Sequence, residues 1–181
     1  MATLTLELPA QEKQTVFNLR RWAEVLADQD LARIEGRVET DRYGRIVLNS
    51  LATIKHGMFQ AGVSHLMREL FQTGSVIIEC PVSTADGVRA TDIAWASPER
   101  MRETGDLVCF PKAPEICVEV ISPGNTIAEI QEKTALYFDA KAQEVWHCDE
   151  NGWMTFLSNK AALPMQASQL CPEFPTRVEL P

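Results

Sequence analysis

The chain lacks any apolar run near the roughly 20 residues that a membrane-spanning helix needs, so we expect no membrane association. Its first residues, Met1-Ala2-Thr3-Leu4-Thr5-Leu6-Glu7, lack a basic start followed by a long apolar stretch, so they do not read as a signal peptide and we expect a cytoplasmic protein. No CxxC pair is present, and the cysteines are five and scattered (Cys80, Cys109, Cys117, Cys148, Cys171), which argues against a disulfide framework or a zinc site. There is no internal repeat, low-complexity tract or composition shift, and 181 residues suffice for one domain with a sizeable core, expected over residues 1–181. Positive charge is scarce: 17 Lys and Arg face 25 Asp and Glu, a net charge of -8. That weighs against broad nonspecific binding to nucleic acid. It does not decide the matter, because a metal site is itself acidic and Arg33, Arg37, Arg42 and Arg45 could cluster around the first hairpin.

What is present reads as alternating helices and strands. Val16, Leu19, Trp22, Ala23 and Leu26 recur at helical spacing and predict a helix from about Gln11 to Ala27. Leu31 to Glu39 and Arg45 to Leu48 predict a hairpin about a turn at Asp41-Arg42-Tyr43-Gly44. Leu51 to Gln72 predicts a long helix with Phe59, Val63, Leu66 and Leu70 inward, and Gly74 as its stop signal. Val76 to Val82 and Val88 to Trp95 are strands joined at Ala85-Asp86-Gly87, followed by a short helix from Ser97-Pro98 and a loop over Arg102 to Ala113. Ile116 to Ile121 is apolar on both faces and so belongs at the centre of a covered sheet. Thr126 and Glu129 have capping-box spacing for a helix to about Ala140. Glu144 to Cys148 and Trp153 to Leu157 predict two more strands, and Arg177 to Leu180 an edge strand.

The chemistry concentrates in this second half. Glu119 interrupts the run Ile116-Cys117-Val118-Glu119-Val120-Ile121, and a carboxylate inside a buried strand is costly unless a cation compensates it. Asp92 is a second buried-looking acid, in Thr91-Asp92-Ile93-Ala94-Trp95. Lys133, on the following helix, lies at the edge of the stripe Ile130, Thr134 and Tyr137, within reach of the C-terminal end of the strand that carries Glu119. Two carboxylates suit Mg²⁺, which takes few protein ligands. The ion acidifies water and neutralises charge developing on phosphorus, and a lysine beside the phosphate assists. Asp92 and Glu119 are therefore expected as metal ligands for Mg²⁺ (Mn²⁺ as an alternative), and Lys133 as their catalytic companion.

This order resembles the PD-(D/E)xK nucleases. More closely, Glu119-Val120-Ile121-Ser122-Pro123, then Glu132-Lys133 with Leu136-Tyr137, then Glu144-Val145-Trp146 with Asp149, resembles the Uma-two family of bacterial nuclease-like proteins. The resemblance spans roughly Leu31 to Leu157. It implies an α/β (α+β) restriction-endonuclease-like fold: a central mixed sheet flanked by helices, with an N-terminal helix and hairpin. It also implies catalytic roles for Glu35, from the segment Arg33-Ile34-Glu35-Gly36-Arg37-Val38, and for His56, at the start of a helix. The chain departs from the family pattern at Thr91, where a proline is usual, at Gly124, where a serine is usual, and at Glu129, where an aspartate is usual.

Each of these residues also has a structural reading. Glu119 could pair with an arginine, Asp92 could cap a turn, Lys133 could snorkel from a helix edge, Glu35 could belong to turn chemistry, and His56 could be a hydrogen-bonded core histidine. Glu79 is read as a structural buried acid, and His65, His147 and the four tryptophans as structural. The expected function is a metal-dependent endonuclease acting on DNA in preference to RNA. The alternative is a binding or assembly protein with a degenerate nuclease fold. Enzymes that cut both strands of a duplex often pair their sites, which is the ground for expecting a homodimer.

Overall fold

Helix α1 (Gln11–Ala27) opens the described part of the computed structural model, which covers residues 11–49, 52–159 and 164–180. Its inward face differs from the expected apolar stripe. Val16 and Leu26 are 69% and 59% exposed, whereas Asn18, Trp22 and Val25 are buried. The cause is polar: the Asn18 amide donates to the carbonyls of Thr84 and Gly87 and to Ser83 Oγ, at 2.9, 3.2 and 3.0 Å. The Gly87 carbonyl also accepts from Thr84 Oγ1 at 2.9 Å, so the turn's buried carbonyls are satisfied largely by side chains.

The hairpin forms with a shorter first strand than expected, β1 (Arg37–Thr40) against β2 (Ile46–Asn49), in antiparallel register. Leu31–Arg33 instead closes a 3₁₀ turn. Gly36, at φ +124°, then brings the chain so close to the Asn49 carbonyl that a Cβ would lie 2.7 Å from it. Helix α2 (Ile54–Leu70) starts at Thr53, whose hydroxyl accepts from the His56 N–H at 3.2 Å; the expected start at Leu51 falls outside the described residues.

Strands β3 (Ser75–Thr84) and β4 (Gly87–Ala96) form a long antiparallel hairpin. Gly87, at φ +87°, lies so close to the Thr40 carbonyl that a Cβ there would collide with it, and this close approach, open only to glycine, seats β1 on β4. Helix α3 (Pro98–Thr104), capped by Ser97, takes the first residues of the loop expected from Arg102.

Strand β5 (Ile116–Val120), entirely buried, leads through helix α4 (Ile127–Asp139) to the parallel β6 (Glu144–Cys148) and the antiparallel β7 (Met154–Ser158). A parallel neighbour requires such a crossover. The five-stranded sheet runs β3-β4-β5-β6-β7, a mixed sheet with β5 at its centre. The Thr126–Glu129 capping box forms as expected.

Alternation along β5 divides the core. Ile116, Val118 and Val120 pack with α2 and the C-terminal residues Phe174 and Val178. Cys117 faces the other layer, with Tyr137 and Ala140 from the α4 side. The C-terminal segment adds no edge strand over Arg177 to Leu180. A single bridge joins Trp153 to Arg177, because the backbone there bonds across the β6–β7 turn instead, Val178 N–H to Gly152 carbonyl. The five cysteines are buried and free. Among the described residues no helix is long and apolar enough to cross a membrane.

Candidate metal centre

Asp92 and Glu119 lie on neighbouring antiparallel strands whose ladder runs through Ile93–Val118 and Ala94–Cys117. Carrying that register one residue further sets the two acids opposite each other, on the face shared with Cys117 that α4 covers. Both are buried. They open onto a cleft of about 970 Å³ walled by the β1–β2 hairpin, the start of α2, the Ser122–Asn125 turn and α4.

Glu119 is held from two sides. Tyr137 Oη donates to Oε1 at 2.7 Å and Lys133 Nζ to Oε2 at 3.1 Å. Burial pushes the Glu119 carboxyl up to about 7, Lys133 pulls against that, and the like charge of Asp92 adds to it. Asp92 is bound differently. Its Oδ2 accepts the Val120 N–H at 2.7 Å, its Oδ1 accepts Arg37 Nη1 at 2.5 Å, and His56 Nε2 stands 3.7 Å from Oδ1. Burial works to raise this carboxyl, but His56, Arg37 and the Val120 N–H outweigh it and hold Asp92 below the ordinary carboxylate range. Lys133 also donates to the Ala90 carbonyl at 3.3 Å. Although burial opposes its charge, Glu119 and Glu39 keep its pKa raised.

Of the five residues expected at the site, Asp92, Glu119, Lys133 and His56 converge. His56 enters from the first turn of α2, its Nδ1 3.2 Å from Ser122 Oγ. Glu35 does not converge; it is exposed in the bend before β1 and is not part of the cleft wall. Four residues on, Glu39 occupies the interior instead. It is 1% exposed, accepts the Ala90 N–H at 3.0 Å, and lies 3.5 Å from Lys133 Nζ. Sequence reasoning passed over Glu39 and Arg37 as site residues. Their signal was the period of two in Arg37-Val38-Glu39, in which Val38 packs inward on the α1 side and the two charged residues share the opposite face.

Glu79 is exposed, where a buried acid was expected. It takes φ +51° opposite Asp92, and its carboxylate meets Arg37 Nη1 at 3.1 Å and Gln60 Nε2 at 2.9 Å. The four arginines that might have formed a basic patch are each tied to an acid: Arg33 to Asp30, Arg37 to Asp92, Arg42 to Asp86 and Arg45 to Asp41.

The donor set bears on whether a divalent ion fits. Among the described residues no three or more His, Cys, Asp or Glu form a ready metal cage. Mg²⁺ does not demand one; it is commonly held by one or two carboxylates, with water and phosphate completing the octahedron. Asp92 and Glu119 supply hard oxygen donors on one face, and the cations already beside them, Arg37 and Lys133, would share those carboxylates with an incoming ion. The residues fit a magnesium-type ion.

The Uma2 (Uma-two) family, described as "Putative restriction endonuclease", matches residues 22–163. A crystal structure titled as a "putative nuclease belonging to DUF820" from Anabaena variabilis ATCC 29413 superposes with a TM-score of 0.63 at 17% identity, over 77% of this chain and 80% of that one. At that identity the likeness speaks for the fold. No curated protein matches the chain.

Proposed function

The chain belongs to the Uma2 family, and we propose that it is a cytoplasmic, Mg²⁺-dependent endonuclease that hydrolyses phosphodiester bonds of DNA at the Asp92–Glu119–Lys133 cleft. One observation carries the reading: two buried carboxylates share a face, and a lysine amine stands 3.1 Å from one of them. The nuclease character of the family supports it.

Asp92 and Glu119 are the residues that would hold the ion, which, when bound, acidifies water and neutralises charge on phosphorus. The remaining work belongs to the chain. The Val120 N–H and the Tyr137 hydroxyl each hold one oxygen of the two carboxylates and so fix their orientation. Lys133, held charged by Glu119 and Glu39, is a fixed donor for a phosphate oxygen at the cleft floor. His56, hydrogen-bonded to Ser122, is in position to exchange a proton with a reacting oxygen. Cutting both strands of a duplex calls for two such clefts, so the reading extends to a homodimer.

Glu119→Ala should abolish Mg²⁺-stimulated cleavage of plasmid DNA while the circular dichroism spectrum stays native. Undiminished cleavage by that variant overturns the reading. A second reading, a binding protein on a degenerate nuclease fold, is favoured by one observation: both acids already have cationic partners, in a chain of net charge -8. DNA binding that is retained with no hydrolysis at any Mg²⁺ or Mn²⁺ concentration selects it.

A further inference from the structure

Arg37 is the most heavily surrounded cation of the cleft. Its Nη1 bridges Asp92 Oδ1 at 2.5 Å and Glu79 Oε2 at 3.1 Å, its Nε lies 3.8 Å from Glu39 Oε1, and it feels the charge of Glu119 as well. Three carboxylates thus converge on one guanidinium with a fourth in its field, and the acid it contacts most closely is one that a metal ion would need. Asp92 is otherwise compensated by His56, a backbone N–H and the more distant charge of Lys133. We infer that Arg37 is a built-in counter-cation that competes with the divalent ion for Asp92, setting how tightly the cleft binds metal.

The inference rests on the metal-centre reading above. Its physical basis is that a monovalent cation at contact distance from Asp92 neutralises the charge an incoming ion would use, and repels that ion directly. The arrangement also provides a way to yield. Glu79 stands on the exposed side of Arg37, held by Gln60, whose Nε2 donates at 2.9 Å both to Glu79 Oε1 and to the Asp92 carbonyl. A guanidinium that releases Asp92 can keep its bond to Glu79 and remain at the cleft mouth. Without the ion, the same guanidinium keeps the buried acids balanced, so the fold does not depend on metal to offset them.

The test is Mn²⁺ binding to the intact protein, followed by electron paramagnetic resonance of the free ion. Wild type, Arg37→Gln and Arg37→Lys are compared, with Glu119→Gln as a site control. Arg37→Gln should bind Mn²⁺ about tenfold tighter or more, and Arg37→Lys, which keeps the charge, should stay near wild type. Melting curves guard against a folding artefact. Arg37→Gln should melt lower than wild type in EDTA, and saturating Mn²⁺ should raise its Tm by more than it raises that of wild type. Wild-type binding that Arg37→Gln leaves equal or weaker overturns the role of Arg37 alone. Binding that Glu119→Gln leaves untouched, or no binding by any variant, overturns the metal centre and this inference with it.

Discussion

Tyr137 Oη donates to Glu119 Oε1 at 2.7 Å, and neither group is open to solvent: Tyr137 is wholly buried and Glu119 is 8% exposed. The hydroxyl comes from the third turn of α4 and the carboxylate from the middle of the sheet, so this bond, with that of Lys133, ties the crossover helix to the candidate centre. Replacing Tyr137 with Phe leaves a buried carboxylate oxygen without its donor. We expect a loss of about 1–3 kcal/mol in unfolding free energy and a further rise in the Glu119 pKa, since the tyrosine is one of the groups holding it down. Urea unfolding and carboxylate titration by NMR measure the two effects; an unchanged Glu119 titration would show that the bond does not govern the site.

Lys133 is the amine nearest both Glu119 and Glu39, at 3.1 and 3.5 Å. Lys133→Met should reduce cleavage by about a hundred- to a thousandfold, the cost of losing one preorganised donor to developing charge. Single-turnover kinetics with saturating Mg²⁺ read this directly, and a loss confined to KM would argue for substrate binding alone.

His147 is pushed down to about 4 by burial, from an ordinary value near 6.5. The folded chain therefore holds fewer protons than the unfolded chain between those values. Stability is intact above about pH 6.5 and declines as pH falls towards 4, by at most about 3 kcal/mol from this group. His147→Gln should flatten that part of the stability profile. Because acids such as Asp92 also titrate on the acidic side, the difference between wild type and variant, measured by chemical denaturation from pH 7.5 to 4.5, is the quantity that tests it.

Glu144 is a structural acid of another kind. It is 2% exposed and accepts from Trp146 Nε1, Ser168 Oγ and the N–H groups of Gln169 and Leu170, at 2.7, 2.7, 2.8 and 3.0 Å. Glu144→Ala strands these donors and should cost about 3 kcal/mol or more. Hydrogen exchange should quicken first around residues 168–171, with Mn²⁺ affinity of the remaining folded protein unchanged.

The parts of the fold legible beforehand were those where one local rule dominates. The apolar run of β5 located the sheet centre, and its period of two put Glu119 on the face of Cys117. The capping box fixed where α4 begins and hence which of its turns carries Lys133. What escaped was polar and non-local. The orientation of α1 is decided by Asn18 reaching a turn 65 or more residues away, which hydrophobic periodicity cannot register. Glu39 and Arg37 enter the interior because Gly87 lets β1 lie against β4, a contact that depends on tertiary assembly. Glu35 had the Glu-Gly resemblance but no strand to carry it inward.

The most direct test of the account is anomalous diffraction from a crystal grown with Mn²⁺. The predicted result is a peak within bonding distance of one oxygen from Asp92 and one from Glu119, with the Lys133 amine still beside Glu119. A clear peak coordinated elsewhere, or none at saturating Mn²⁺, would contradict the assignment of these carboxylates as the metal centre.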